Sequence, residues 1–301
     1  MLVKTLGVKR LVVVINKMDD SSVEWSKERY DEIVEKLAAY LRGQLGFKDS
    51  DLEFIPISGL KGYNIKEAIP VSKCSWYNGP TLLGYLDEMP SIERRLDAAF
   101  LMPVSGKYKD MGTIVTGKIE SGAVFKGQQV LMMPNRQTAE VLAIYIEEME
   151  MKTARSGDNV RLRLRGVEEE EVSTGFVVCD PQHPVRTTNC FQAQLFVREI
   201  KNIIAPGYKA VLHIHTCSEE VTIASLDNFI DKKTGAKLPK KPLFARQNDI
   251  VIATIESTGT ICLESAKDCE PLGRFSLRDE GKTIAVGRVI DANPAVFELQ
   301  S

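Results

Sequence analysis

The chain has 301 residues, of which 44% are hydrophobic and 27% charged, with a formal net charge of −2. That is the composition of an ordinary globular protein, long enough for two domains or three small ones. The near-neutral charge argues against nucleic-acid binding through overall positive charge, and 21 glycines with 13 prolines exclude a low-complexity chain. Apolar runs such as Leu11–Ile15 fall far short of the roughly 20 residues of a membrane span. Met1-Leu2-Val3-Lys4 opens no signal peptide either, so the expectation is a cytoplasmic protein with neither DNA nor membrane as partner. The six cysteines (Cys74, Cys179, Cys190, Cys217, Cys262, Cys269) contain no C-x-x-C pair and read as reduced, mostly packed thiols.

Up to about residue 95 the pattern is α/β. Arg10–Ile15 is a continuous β-branched run, as in a strand buried on both faces of a parallel sheet. Ser26 is a helix N-cap, Tyr30, Ile33, Leu37 and Leu41 recur at helical spacing, and Gly46 supplies the stop. Leu52–Ile57 is the next strand, completing a βαβ unit, and Pro80 opens a last helix over Thr81–Glu88.

From residue 98 the helical period disappears and short alternating segments follow at regular spacing. The first series is Gly112–Ile119, Gln129–Met133, Glu140–Ile146, Asn159–Leu164 and Gly175–Cys179. The second is Phe191–Val197, Ala210–His215, Val221–Leu226, Ile250–Glu256, Arg274–Leu277 and Thr283–Val289. Such spacing predicts antiparallel β-barrels or sandwiches, with Pro181–Pro184 as the joint between them. The expected domains are 1–97, 98–183 and 184–301. Glu168–Glu171 reads as a solvated turn, and Lys232–Lys241, with five lysines, as an exposed loop. His213 and His215 share a strand face by period two, and read as packed or hydrogen-bonded histidines rather than metal ligands.

Chemistry concentrates just after the two early strands. Asn16-Lys17-Met18-Asp19 follows the first, and in open parallel sheets ligands bind beyond the carboxyl ends of strands. An Asp carboxylate there can accept the N1 and N2 hydrogens of guanine together, which adenine cannot offer. The Asn amide can bridge to N7, and the Lys stem can lie along the base. Ser58-Gly59-Leu60 follows the second strand in the same way, its backbone N–H groups suited to guanine O6 and its small residues permitting close approach. Asn16, Lys17, Asp19, Ser58, Gly59 and Leu60 are therefore the candidate base-binding set.

This pair of loops resembles the guanine-reading motifs of translation-factor GTPases. Gly112–Gly122 with Gly127 resembles the second-domain barrel of that superfamily. Lys107–Gly112, Val167–Val172, Leu212–Cys217 and Gly273–Gly287 resemble the eukaryotic class-2 peptide chain release factors. The resemblance implies an α/β partial P-loop GTPase domain with a parallel sheet, followed by two antiparallel β-barrel domains. It further implies GTP or GDP with Mg²⁺ in the complete protein, and the class-1 release factor and the ribosome as partners.

One departure stands beside it. The 301 residues hold no G-x-x-x-x-G-K-[ST] phosphate loop and no D-x-x-G segment. The expectation is an N-terminally truncated family member that keeps a guanine half-site, lacks the Mg²⁺ ligands and does not hydrolyse GTP alone. The alternatives are a ribosome-rescue or elongation-factor-like GTPase, or a non-catalytic module that keeps only the docking barrels. For docking, period two puts Phe275 and Leu277 inside the last barrel and Arg274, Ser276 and Arg278 outside. Arg274, Arg278 and Asp279 are the candidate partner-binding residues, in the segment where the family binds the class-1 factor; local pairing of the arginines with Asp279 and Glu280 is the alternative.

Overall fold

The structure, a computed structural model, describes residues 8, 10–45, 47–89, 96–198, 200, 202–231, 236–239 and 241–292, with the side chains of 44 and 45 left aside. The chain divides into two compact units, Met1–Glu93 and Arg94–Ser301. Gly46, read as the helix stop, and residues 232–235 and 240 of the lysine-rich loop lie outside the described residues.

In the first unit β1 (Leu11–Ile15) is followed by α1 (Lys27–Leu45), β2 (Leu52–Pro56) and α2 (Leu82–Glu88). The two strands run parallel, paired from Leu11 with Leu52 to Ile15 with Pro56, so the βαβ unit forms as expected. Ser26 caps α1 by accepting the Arg29 N–H on its hydroxyl at 3.2 Å. Thr81 does the same for Gly84 at 3.1 Å, so α2 starts one residue later than the sequence pattern suggests. A small core gathers Ile15, Met18, Trp25, Ile69 and Cys74, with Tyr30 and Ile33 of α1 packed against it. The reading of β1 as buried on both faces does not hold. Only Ile15 is buried and Val14 is 37% exposed, because among the described residues β1 has one strand neighbour, β2.

The second unit is all β apart from short helical turns. Its first barrel uses β3 (Leu101–Lys109), β4 (Thr113–Lys118), β5 (Ala123–Phe125), β6 (Gln129–Met133), β7 (Gln137–Ile146), β8 (Met149–Met151), β9 (Thr153–Arg155), β10 (Asn159–Arg165) and β11 (Val177–Cys179). Six of these close a ring in the order β10-β4-β3-β11-β6-β7 and back to β10, with β8 appended to β7 and β5 paired to β9. The second barrel closes as β12-β15-β14-β13-β16-β17, from β12 (Thr187–Val197), β13 (Lys209–Ile214), β14 (Cys217–Phe229), β15 (Ile250–Cys262), β16 (Arg274–Asp279) and β17 (Lys282–Asp291). Each interior is filled by inward residues of the ring strands: Val104, Val115, Leu162 and Val178 in one, Phe191, Leu195, Leu212 and Leu277 in the other. Gly287 is required where it sits, since a Cβ there would fall 2.3 Å from the Phe275 ring.

A third core joins the two barrels. Leu101, Met133, Val177 and Cys179 of the first meet Cys262, Cys269 and Leu272 of the second, with Val185 from the joint between them. All six cysteines are free thiols, four of them buried. In the acidic turn Glu168, Glu170 and Glu171 are exposed and Glu169 is half-buried, and the main chain is held: Lys107 donates to the Glu169 carbonyl at 2.8 Å and Asn135 to that of Glu171 at 2.9 Å.

Candidate functional site

The ladder of β1 and β2 continues past the strands. Ile57 N–H donates to Ile15 O at 2.8 Å, and Met18 N–H donates to Ile57 O at 3.2 Å. The Asn16–Asp19 and Ser58–Leu60 loops therefore leave one sheet edge side by side. Asn16 ties them together, its Oδ1 accepting the Lys17 N–H at 2.7 Å and the Gly59 N–H at 2.8 Å. Gly59 is small for a reason: a Cβ would come 3.2 Å from Asn16 Nδ2.

With both lone pairs of Oδ1 occupied, Asn16 can address a ligand only as a donor, through Nδ2. In the second loop the N–H of Ser58 donates to Tyr63 O at 3.1 Å and that of Lys61 to Ser58 Oγ at 3.1 Å. Among the described residues the Leu60 N–H takes no partner, and the Leu60 side chain is 92% exposed. The expectation that several N–H groups of this loop face a ligand thus narrows to one.

Asp19 is the acceptor of the site, its side chain only 12% exposed and its Oδ2 lying 3.3 Å from Lys61 Nζ. The Ser58 hydroxyl, and after it Lys61, hold its carboxyl below the usual carboxylate range, so it is ionised at neutral pH. A fixed ionised carboxylate beside a donor amide and one free N–H can grip a planar group that offers paired donors and adjacent acceptors.

Sequence reasoning missed the residues that pin these loops. Asn64 is buried, donates from Nδ2 to Pro56 O at 2.9 Å, and accepts the Leu82 N–H at 2.9 Å, joining the end of β2 to the start of α2. Trp25 N–H holds Met18 O at 2.8 Å, and Trp76 Nε1 holds Trp25 O at 2.7 Å. The only sequence signal was the residue types, since neither tryptophan lies on a periodic face.

On the second barrel, Phe275 and Leu277 of β16 point inward, buried at 2% and 0%. Arg274 is ion-paired with Glu270 of α3 (Glu270–Gly273), a different acid from the two weighed in the sequence. Arg278 donates to Gly281 O at 2.8 Å, and Asp279 accepts the Tyr208 hydroxyl at 2.6 Å. Burial, then this hydrogen bond, pushes the Tyr208 phenol up to about 12. A groove of about 500 Å³ runs over this face, lined by Lys209, Val211, His213, Glu220, Arg278 and Asp279.

The two histidines do not share a strand face. His213 lies in β13, but His215 sits in the turn after it at φ +41°, which breaks the alternation. Its Nε2 lies 2.9 Å from Cys262 O, and burial lowers its pKa to about 4. It is a neutral hydrogen-bonded histidine. Among the described residues no group of three acids, histidines or cysteines could hold a metal ion, and no helix is long and apolar enough to cross a membrane.

Comparison with known proteins places three family descriptions along the chain. Residues 1–107 match the Elongation factor Tu GTP binding domain, 112–179 Elongation factor Tu domain 2, and 190–290 the GTP-eEF1A C-terminal domain-like family. Eukaryotic peptide chain release factor GTP-binding subunits from Ogataea pini and Schizosaccharomyces pombe are 50% and 46% identical, each over 96% of this chain. The chain spans 39% and 44% of those two relatives, about two fifths of their length. Among solved structures, sup35 complexed with GDP is 46% identical with a TM-score of 0.64, over 96% of this chain and 71% of that one. Elongation factor SelB from Methanococcus maripaludis, 19% identical over 94% of this chain and 59% of that one with a TM-score of 0.64, shares the fold.

Proposed function

Because this chain belongs to the family of eukaryotic peptide chain release factor GTP-binding subunits, we propose that it serves translation termination in the cytoplasm, together with the ribosome and a class-1 release factor. The observation that carries the reading is the 46–50% identity to release factor GTP-binding subunits over 96% of this chain, with family matches at 1–107, 112–179 and 190–290, rather than the base-binding loops alone.

Within the first segment the residues present suit guanine. Asp19 would accept the N1 and N2 hydrogens on its two oxygens. Asn16, its oxygen committed to the loops, would donate from Nδ2 to N7. The Leu60 N–H, beside Gly59, would serve O6, with the Lys17 stem along the base. An adenine presents a donor at C6 and no hydrogen at N1, so it cannot place two donors in parallel on the Asp19 carboxylate, which is where guanine selectivity arises.

The groups that hold phosphate and Mg²⁺ in this family have no counterpart among the sequence patterns of the 301 residues. GTP or GDP binding by this chain therefore rests on base contacts. Several missing charge-assisted contacts, at about 1.5–3 kcal/mol each, would leave affinity no tighter than about millimolar and no hydrolysis. Titration calorimetry with GTP and GDP tests this, and a micromolar constant for either would overturn it.

For partner docking the β16 face is the proposed surface. Arg278 reaches outward beside Asp279, and Arg274 stands behind its pair with Glu270. Arginine on a flat strand face suits carboxylates of a partner, through its planar fork. Titrating the chain with a class-1 release factor and, separately, with an aminoacyl-tRNA decides between termination and elongation. Binding of the release factor alone is expected; binding of the aminoacyl-tRNA alone would replace this reading.

A further inference from the structure

Lys61 belongs to neither base-binding motif, yet it touches the central group of the site. The turn Ser58–Lys61 closes through Lys61 N–H on Ser58 Oγ at 3.1 Å, which folds the lysine back toward the first loop. Its ammonium then lies 3.3 Å from Asp19 Oδ2, while half of the Lys61 side chain remains in solvent. Asp19 is the enclosed member of the pair.

We propose that Lys61 is an internal competitor for the base: its ammonium neutralises the Asp19 carboxylate, and a guanine must displace it to reach both oxygens. The proposal rests on the reading of Asp19 as the guanine acceptor. Two features favour competition over an added ligand contact. The lysine occupies the same oxygen that the paired N1 and N2 hydrogens need. It can also leave cheaply, since half of its side chain is in solvent and a pair of this kind is worth little in water. The consequence is selectivity by threshold. A ligand with two donors in parallel replaces the ammonium with charge-assisted bonds of its own, whereas a base offering one donor does not compensate the loss.

The test uses the 301-residue protein and guanosine, an uncharged probe that reports the base contacts without phosphate, followed by the amide shifts of Asp19, Gly59 and Leu60 in NMR titrations. Adenosine is the control. Lys61→Ala and Lys61→Met, the second keeping the stem, should each bind guanosine about two- to fivefold more tightly than the parent. Raising the salt concentration should strengthen guanosine binding to the parent, because the intramolecular pair is screened, and leave both variants unchanged. Weaker binding in both variants would overturn the competition and make Lys61 a ligand of the base. Unchanged affinity and equal salt response in all three proteins would overturn it as well. Failure of all three to bind guanosine would overturn the half-site reading itself, and the competition with it.

Discussion

The two units solve the same problem of covering strands in opposite ways. In each barrel the six ring strands have a neighbour on both sides, so the ring itself leaves no ladder edge open, and inward side chains such as Phe191, Leu195 and Leu162 are fully buried. In the first unit β1 and β2 pair only with each other among the described residues, and Val14, Leu37 and Leu86 are 37%, 38% and 44% exposed. The lesson concerns where precision comes from. The barrels hold their surfaces through closure, whereas the base-binding loops are held one bond at a time, by Asn16, Asn64, Trp25 and Trp76.

The largest expected effect tests that contrast directly. Phe275→Ala removes a ring that packs edge-on against Phe191 at 5.7 Å between centroids. It should cost about 3–5 kcal/mol in urea unfolding of the barrel unit, whereas Val14→Ala on the open strand should cost less than about 1 kcal/mol. Equal costs would mean that closure does not distinguish the two regions.

A second effect is confined to the barrels. His215 has a folded pKa near 4 against an ordinary 6.5, so the folded state refuses a proton that the unfolded chain accepts. Above the unfolded value neither state is charged and nothing is lost. As pH falls from about 7 to about 4, barrel stability should drop by as much as about 3 kcal/mol from this group. His215→Gln should flatten that part of the pH profile in denaturant melts.

Smaller effects sharpen the surfaces. Arg278→Ala should weaken binding of a class-1 release factor by about 2 kcal/mol, roughly thirtyfold, with the melting temperature nearly unchanged. Arg274→Ala should weaken it less, because that guanidinium is already paired with Glu270. Unchanged affinity in both would move docking elsewhere. The smallest effect returns to the open unit. Ser26→Ala removes the cap of α1 and should cost about 1 kcal/mol, read as faster hydrogen exchange in the first turn of that helix.

Much of this was determined by the sequence alone. Period-two alternation gave Gln129–Met133 its bounds and placed Phe275 and Leu277 inside, because a closed barrel needs each strand to supply an inward face and little else. The βαβ order and the positions of Asn16–Asp19 and Ser58–Leu60 at strand ends were readable too, since a continuous apolar run, a 3.6-residue period and a second apolar run mark strand, helix and strand in turn. Strand β3 was not, because Pro103 and Gly106 interrupt its alternation and a bulge between Val104 and Gly106 shifts its register. Nor could the sequence show that Asn16 would turn its oxygen to its own loops, that His215 would leave the strand at positive φ, or that Arg274 would find Glu270. Each depends on which groups come within about 3 Å after folding. Hydrogen bonds and ion pairs are short-ranged and directional, so their partners are chosen by tertiary packing. The same holds for Lys61 and Asp19, separated in sequence by a helix and a strand and joined only where two loops leave one sheet edge.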